Sequence, residues 1–165
     1  MLYDVVDLVA SVLDANFDAD LTALCTAKGV ATPTGIVGGT VRKREGLLAW
    51  ATSPANLPGL GVTSQGAQTG AKNQAKRDST VTVQAAYYST GQDAALLGAH
   101  VELAAEAIML SVDRMAGSGS GLVWGVAEGR DSVRIETMGT AFTRDANWFE
   151  DGVVVEFPAN DRDVV

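Results

Sequence analysis

The sequence is short of the residues that staple small domains and of those that serve enzymes as reagents. It has one cysteine, Cys25, and one histidine, His100, in 165 residues. A lone cysteine excludes an internal disulfide framework and a cysteine-based metal cluster. A lone histidine gives a general base no visible partner and leaves a metal site short of ligands. Basic residues are also few: 12 against 20 acids, a formal charge of -8. That balance argues against a dedicated nucleic-acid binder, which normally carries a basic domain. Apolar runs fall short of the ~18 residues a membrane span needs, so no membrane partner is expected. Asp4 and Asp7 stand where a secretory signal would be basic. What is present is a core: Leu, Ile, Val and Phe make up about a quarter of the chain, too many for a disordered coil. The length suits one domain over residues 1–165, able to bury roughly 70% of its unfolded surface.

Hydrophobic spacing predicts the elements. Leu2, Val5, Val6, Val9, Val12, Leu13 and Phe17 recur at helical steps, with Asp4, Asp7, Asp14 and Asp18 mostly between them. A second stretch carries Leu21, Leu24 and Cys25, and Lys28-Gly29 suits a helix end. The spacing leaves open whether Asp18 to Asp20 interrupts that helix. Residues 29–45 read as a loop with at most one short strand, and 47–51 as a short strand ending before Pro54. Residues 53–76, with Pro54, Pro58, Gly59, Gly61, Gly66 and Gly70, read as a long glycine-rich loop between the first two strands. Thr80 to Tyr88 alternates and is β-branched, a strand. Thr90-Gly91-Gln92-Asp93 resembles a capping box and opens a helix to about Met115, with Leu96, Leu97, Val101, Ala104, Ile108, Leu110 and Met115 near one face. Residues 122–127 and 132–137 flank Gly129-Arg130-Asp131 as a possible hairpin. A last strand over 148–157 ends at Pro158, before a polar tail over 158–165. The fold class is α+β: one mainly antiparallel sheet with the N-terminal and central helices packed on one face.

Chemistry-bearing motifs are few. His100 has Leu97 and Ala104 one turn away and reads as a buried or interface histidine. Cys25, in acidic surroundings, reads as a buried inert thiol. The run from Gly66 to Asn73 departs from a phosphate loop in spacing, and Asn73 replaces the Ser or Thr. The glycines at 117, 119 and 121 follow a helix, whereas the dinucleotide fingerprint follows a strand. Glu102 and Glu106 are one turn apart and read as a solvated acidic face. Glu150 and Asp151 read as turn residues. No cofactor, metal or catalytic residue is indicated, and an enzyme is not expected.

Charge is unevenly placed. Residues 42–77 hold Arg42, Lys43, Arg44, Lys72, Lys76 and Arg77 against Glu45 alone, a net +5, so the rest of the chain carries -13. One reading is solvated loop charge. The other is a recruiting surface for an acidic partner, for passing DNA or for the acidic face of another copy, as in head-to-tail self-association.

The order of elements around Arg77-Asp78-Ser79-Thr80-Val81-Thr82-Val83, Gly91-Gln92-Asp93, the Ala-rich helix and Val153-Val154-Val155-Glu156-Phe157 resembles the tail-terminator and neck proteins of long-tailed bacteriophages and related gene-transfer-agent tail proteins. The likeness covers most of the chain in architecture and has no invariant signature. It implies a structural virion protein without enzymatic activity. Such a subunit forms a homo-oligomeric, hexameric ring that caps the tail tube and meets the head connector. Its partners would be other copies of itself, the tail tube protein and the head–tail connector protein, with at most transient contact with DNA. It would sit in the virion tail or neck after assembly in the host cytoplasm. The six basic residues become the candidate contacts to a partner or to the channel. Two alternatives stand beside this reading. One is a head-completion, adaptor or minor tail-tube protein of the same particle. The other is a small α+β enzyme or ligand-binding domain using His100, Glu102 and Glu106 near Tyr87 and Tyr88.

Overall fold

The computed structural model describes residues 2–72, 76–116, 122–124, 133–139, 141–142 and 148–162. Helix α1 (Leu2–Lys28) is continuous. Asp18 to Asp20 do not break it, because Asp20 turns inward to partners on another helix. The helix stops where Gly29 takes φ 68° and Val30 N–H donates back to Cys25 O at 2.9 Å. A short strand β1 (Arg42–Lys43) and a single helical turn α2 (Leu47–Trp50) follow. The long strands β2 (Gly59–Lys72) and β3 (Lys76–Gly91) come next, then helix α3 (Ala94–Ala116). Three short strands, β4 (Leu122–Trp124), β5 (Arg134–Thr137) and β6 (Ala141–Phe142), precede the long β7 (Phe149–Arg162).

The seven strands among the described residues form one sheet in the order β1-β2-β3-β7, with β4, β5 and β6 lying along the far edge of β7. Every pairing is antiparallel except β1 with β2. The expected α+β class, with helices against a mainly antiparallel sheet, is what the chain adopts. Alternation builds the main core. Val81, Val83, Ala85 and Tyr87 of β3 share one face with Val153, Val155, Phe157 and Ala159 of β7. Onto that face pack Val5, Val9, Leu13 and Phe17 of α1 and Val101, Ala104 and Ile108 of α3. The rings of Phe17 and Tyr87 lie 5.5 Å apart, and burial pushes the Tyr87 phenol up to about 12. Asp20 meets Ser111 while Ala31, farther along the chain, meets His100, so α1 and α3 run antiparallel.

Several sequence expectations are corrected. Residues 53–76 are not a long loop: 59–72 form β2, zipped to β3 from Gly59↔Tyr88 to Lys72↔Lys76, with one irregularity between Ser64 and Gly66. Pairing supplies what the small polar side chains lack in strand propensity. Residues 47–51 form a helical turn rather than a strand. Trp50 from that turn lies flat on the sheet face away from the main helices. A Cβ on Gly59 would come within 2.6 Å of its ring, and one on Gly61 within 3.0 Å, so both glycines make room for the indole. With Ala51, Leu57 and Ala86 it builds a second, smaller core. Pro158 does not end the last strand, and the expected polar tail begins as strand. Pro158 falls between the β7 segments that pair with β5 and β4, where a missing N–H is tolerated. Glu150 and Asp151 are strand residues of β7, not turn residues. Thr90 stays in β3, donating to Phe149 O, and the α3 cap is Asp93, whose Oδ1 accepts from the N–H groups of Ala95 and Leu96. Among the described residues β4 and β5 each pair with β7 and not with each other, and the expected turn at Gly129 to Asp131 lies outside them. Leu110 is on the outer side of α3, not in its core face. Residues 94–114 of α3 also reach the length and mean hydropathy (1.5) of a membrane span. Burial of its apolar side against α1 and the sheet accounts for that composition.

Candidate functional site

The six basic residues do not gather into one surface. Arg42, Lys43 and Arg44 sit beside Gly61 and Val62, near the start of β2. Lys72, Lys76 and Arg77 sit at its far end, where Lys72 pairs with Lys76 and Arg77 with Ala71. At roughly 3.3 Å per residue the two groups are about 30 Å apart along the strand.

The first group is engaged within the chain. Arg42 donates to Glu45 Oε2 at 3.1 Å and Asn56 Oδ1 at 2.8 Å, and its guanidinium lies 5.9 Å from the Trp50 ring centre. Lys43 Nζ and Arg44 Nη2 converge on Asp7 Oδ1 of α1, at 3.2 and 3.1 Å. Asp14 Oδ1, two turns on, accepts from the Val41 N–H at 2.6 Å. The basic triplet thus ties the edge of the sheet to α1. Arg44 takes φ 63°, which turns the chain out of β1 toward α2.

Burial alone would raise the Asp7 carboxyl, but the hydrogen bonds and charges of Lys43 and Arg44 outweigh it and hold the group below its ordinary 3.8. A native value below the unfolded one means this contact stabilises above the unfolded value and is lost as pH falls through the native one. NMR titration is therefore expected to place the Asp7 midpoint below 3.8. A midpoint at or above that value would show the contact absent in solution.

The alternative enzyme site does not assemble. His100 is buried, and its Nε2–H donates to Ala31 O at 2.6 Å, a contact that holds the segment after α1 onto α3. Glu102 and Glu106 are on the exposed side of α3. A cavity of about 180 Å³ beside His100 is lined by Pro33, Thr34, Ser89, Gln92, Asp93 and neighbours. The Asp93 carboxylate in it is occupied as the helix cap. Tyr87 and Tyr88 point to opposite faces of the sheet, Tyr87 into the main core and Tyr88 onto the smaller one. Cys25 is fully buried, and burial pushes its thiol up. Among the described residues no group of three or more His, Cys, Asp or Glu side chains is placed to hold a metal ion.

What sequence reasoning missed is the pair of sheet edges. On one flank β2 has β1 as an outer neighbour only at Gly61 and Val62, and over residues 63–72 no further strand pairs with it among the described residues. On the other flank β5 pairs, among the described residues, with β7 alone, and all four of its residues are exposed. Ile135 and Met138 on this flank are each 48% exposed, and Trp148 just before β7 is 43% exposed. Following the pairings across, β1, β2 and β7 run one way and β3, β4 and β5 the other. The two flanks therefore end in strands of opposite sense. The only hint in the sequence was the weak strand pattern itself, since register joins residues far apart in the chain.

No protein-family model and no curated protein matches the chain. Among solved structures, a chain described as the virion of a native gene transfer agent particle aligns over 92% of this chain and 97% of its own. Its identity is 13% and its TM-score 0.30, a likeness that assigns neither a fold nor a role.

Proposed function

We propose that the chain is a structural, non-catalytic subunit of a homo-oligomeric ring in a phage-like virion, at the end of the tail tube where it meets the head connector. One observation supports the ring: among the described residues no further strand covers either flank of the sheet, and the two flanks end in strands of opposite sense. Copies related by rotation, with none turned over, can then place an edge of one beside an edge of the next and keep the antiparallel alternation. Such a heterologous contact closes on itself when the rotation divides a circle. Open edges with unpaired backbone groups are templates for pairing with another chain. The tail-and-neck placement rests on the resemblance in element order, and six copies is the number that resemblance implies. Tail tube protein and head–tail connector protein are the partners in this reading.

Co-sedimentation tests the seat. The assembled protein is expected to bind isolated tail tubes. Binding to portal rings alone would move it to a head-completion or adaptor role, and binding to neither would remove it from the junction.

A further inference from the structure

Two rows of residues cross the whole sheet near the start of β2. One runs Arg42, Gly61, Ala86, Val154, Glu136, and the next runs Lys43, Val62, Ala85, Val155, Ile135. The first row lies on the face that carries Trp50, with Ala86 and Val154 in the smaller core. The second lies on the helix-covered face, with Val62, Ala85 and Val155 in the main core. Each row starts in β1 and ends in β5, at the two flanks of the sheet among the described residues. The first begins with a cation and ends with an anion on the same face. Glu136 has a side chain 61% exposed, touched by Arg134 of its own strand at 3.4 Å. The second begins with the flexible stem of Lys43 and ends with the exposed Ile135. Arg44 N–H donates to Val62 O at 2.8 Å, so the N–H of Lys43, one residue earlier in extended chain, is turned away from β2.

We propose that β5 of one copy docks antiparallel against β1 of the next, in the register that sets Glu136 opposite Arg42 and Ile135 opposite Lys43. The occupant of this edge is a second copy of the chain. Strand sense, like-faced rows and opposite charge at the row ends all select it. The guanidinium of Arg42 has five N–H donors, so an incoming carboxylate joins Glu45 and Asn56 without displacing them. Docking also covers Ile135, an apolar side chain that a lone subunit leaves in water. The contact is heterologous, because β1 meets β5 and never another β1. This inference rests on the ring reading and adds the residues and register of the joint.

Disulfide trapping tests it, since directly opposed antiparallel residues have Cα atoms about 4.5–5.5 Å apart, within disulfide range. Cys25 is buried and does not compete. Lys43→Cys and Ile135→Cys proteins are each expected to give no cross-link when oxidised alone, and a covalent dimer when mixed. The double variant is expected to give a ladder of multimers, and adding Glu136→Arg is expected to lower its yield roughly tenfold. Circular dichroism of Glu136→Arg, a change at an exposed position, confirms that the subunit still folds. Oligomers by native mass with no ladder, or with cross-links in either single variant, would overturn this joint and leave the ring reading standing. A protein that stays monomeric at every concentration would overturn both.

Discussion

Replacing Trp50 by alanine is expected to lower the stability of the fold by about 3–5 kcal/mol, the range for truncating a buried large aromatic. Trp50 is 1% exposed, although it sits on a helical turn of only four residues. Its indole is the plate between that turn and the sheet: Gly59 and Gly61 lie beneath it, and Arg42 lies over its ring. Ala51 and Leu57 join it against Ala86, and Asn56 donates from Nδ2 to the Trp50 carbonyl at 3.0 Å. A turn this short has no helical stability of its own, so the whole 47–58 segment depends on that packing. Denaturant unfolding followed by circular dichroism measures the loss. Trp148→Ala, at a residue 43% exposed, is the control and is expected to cost less than about 1 kcal/mol. Equal losses in the two variants would show that the second core is not held by the indole. Because the Trp50 plate also supports Arg42, Trp50→Ala is expected to weaken the β1–β5 joint as well.

Arg114→Met is expected to cost about 2–3 kcal/mol. Asp20 is 6% exposed on α1 and accepts from Ser111 Oγ at 2.9 Å and from both terminal nitrogens of Arg114, at 2.7 and 2.5 Å. Removing the arginine leaves a buried carboxylate with one neutral donor, the costly half of breaking a buried pair. The Arg114 side chain is 55% exposed, which holds the figure below that for a fully buried pair. Asp20→Asn keeps an acceptor for Ser111 and is expected to cost less, about 1–2 kcal/mol. The double variant should cost less than the two singles together, since the second change removes a partner already lost. Strict additivity would show that the bidentate contact between α1 and α3 contributes nothing in solution. This lock holds α1 to α3 over the sheet, and so supports the sheet rows on which the proposed joint depends.

The parts of the fold legible in the sequence are those specified locally. The apolar spacing of α1 and α3, the alternation of Thr80 to Tyr88 and the Val153-Val154-Val155 triplet each repeat at the period of their own element. The parts not legible are fixed by residues far away in the chain. Beyond Val62, β2 is mostly glycine, alanine and polar residues, and it is a strand there because β3 pairs with it along its length. Leu47 to Trp50 is an apolar run whose period fits either state, decided by a glycine-floored slot on the sheet. Asp20 stood in the sequence only as one end of a segment that could interrupt the helix, and the antiparallel approach of α3 gives it its inward partners. The candidate site followed the same rule. The six basic residues were visible as a cluster in the sequence, but the length of the β2–β3 hairpin splits them in two and Asp7 claims Lys43 and Arg44. The edge residues Ile135 and Glu136 carry no sequence signal, since the role proposed for them rests on a register shared with Lys43 and Arg42 across three intervening strands.

In the proposed function, copies of this chain close into a ring. Native mass spectrometry over a wide range of protein concentration, with images of the same sample, tests it most directly. The expected result is a closed species seen as rings or stacked rings, with about six subunits, the number the resemblance implies. A strict monomer at all concentrations, or a two-fold dimer that does not grow further, would contradict it.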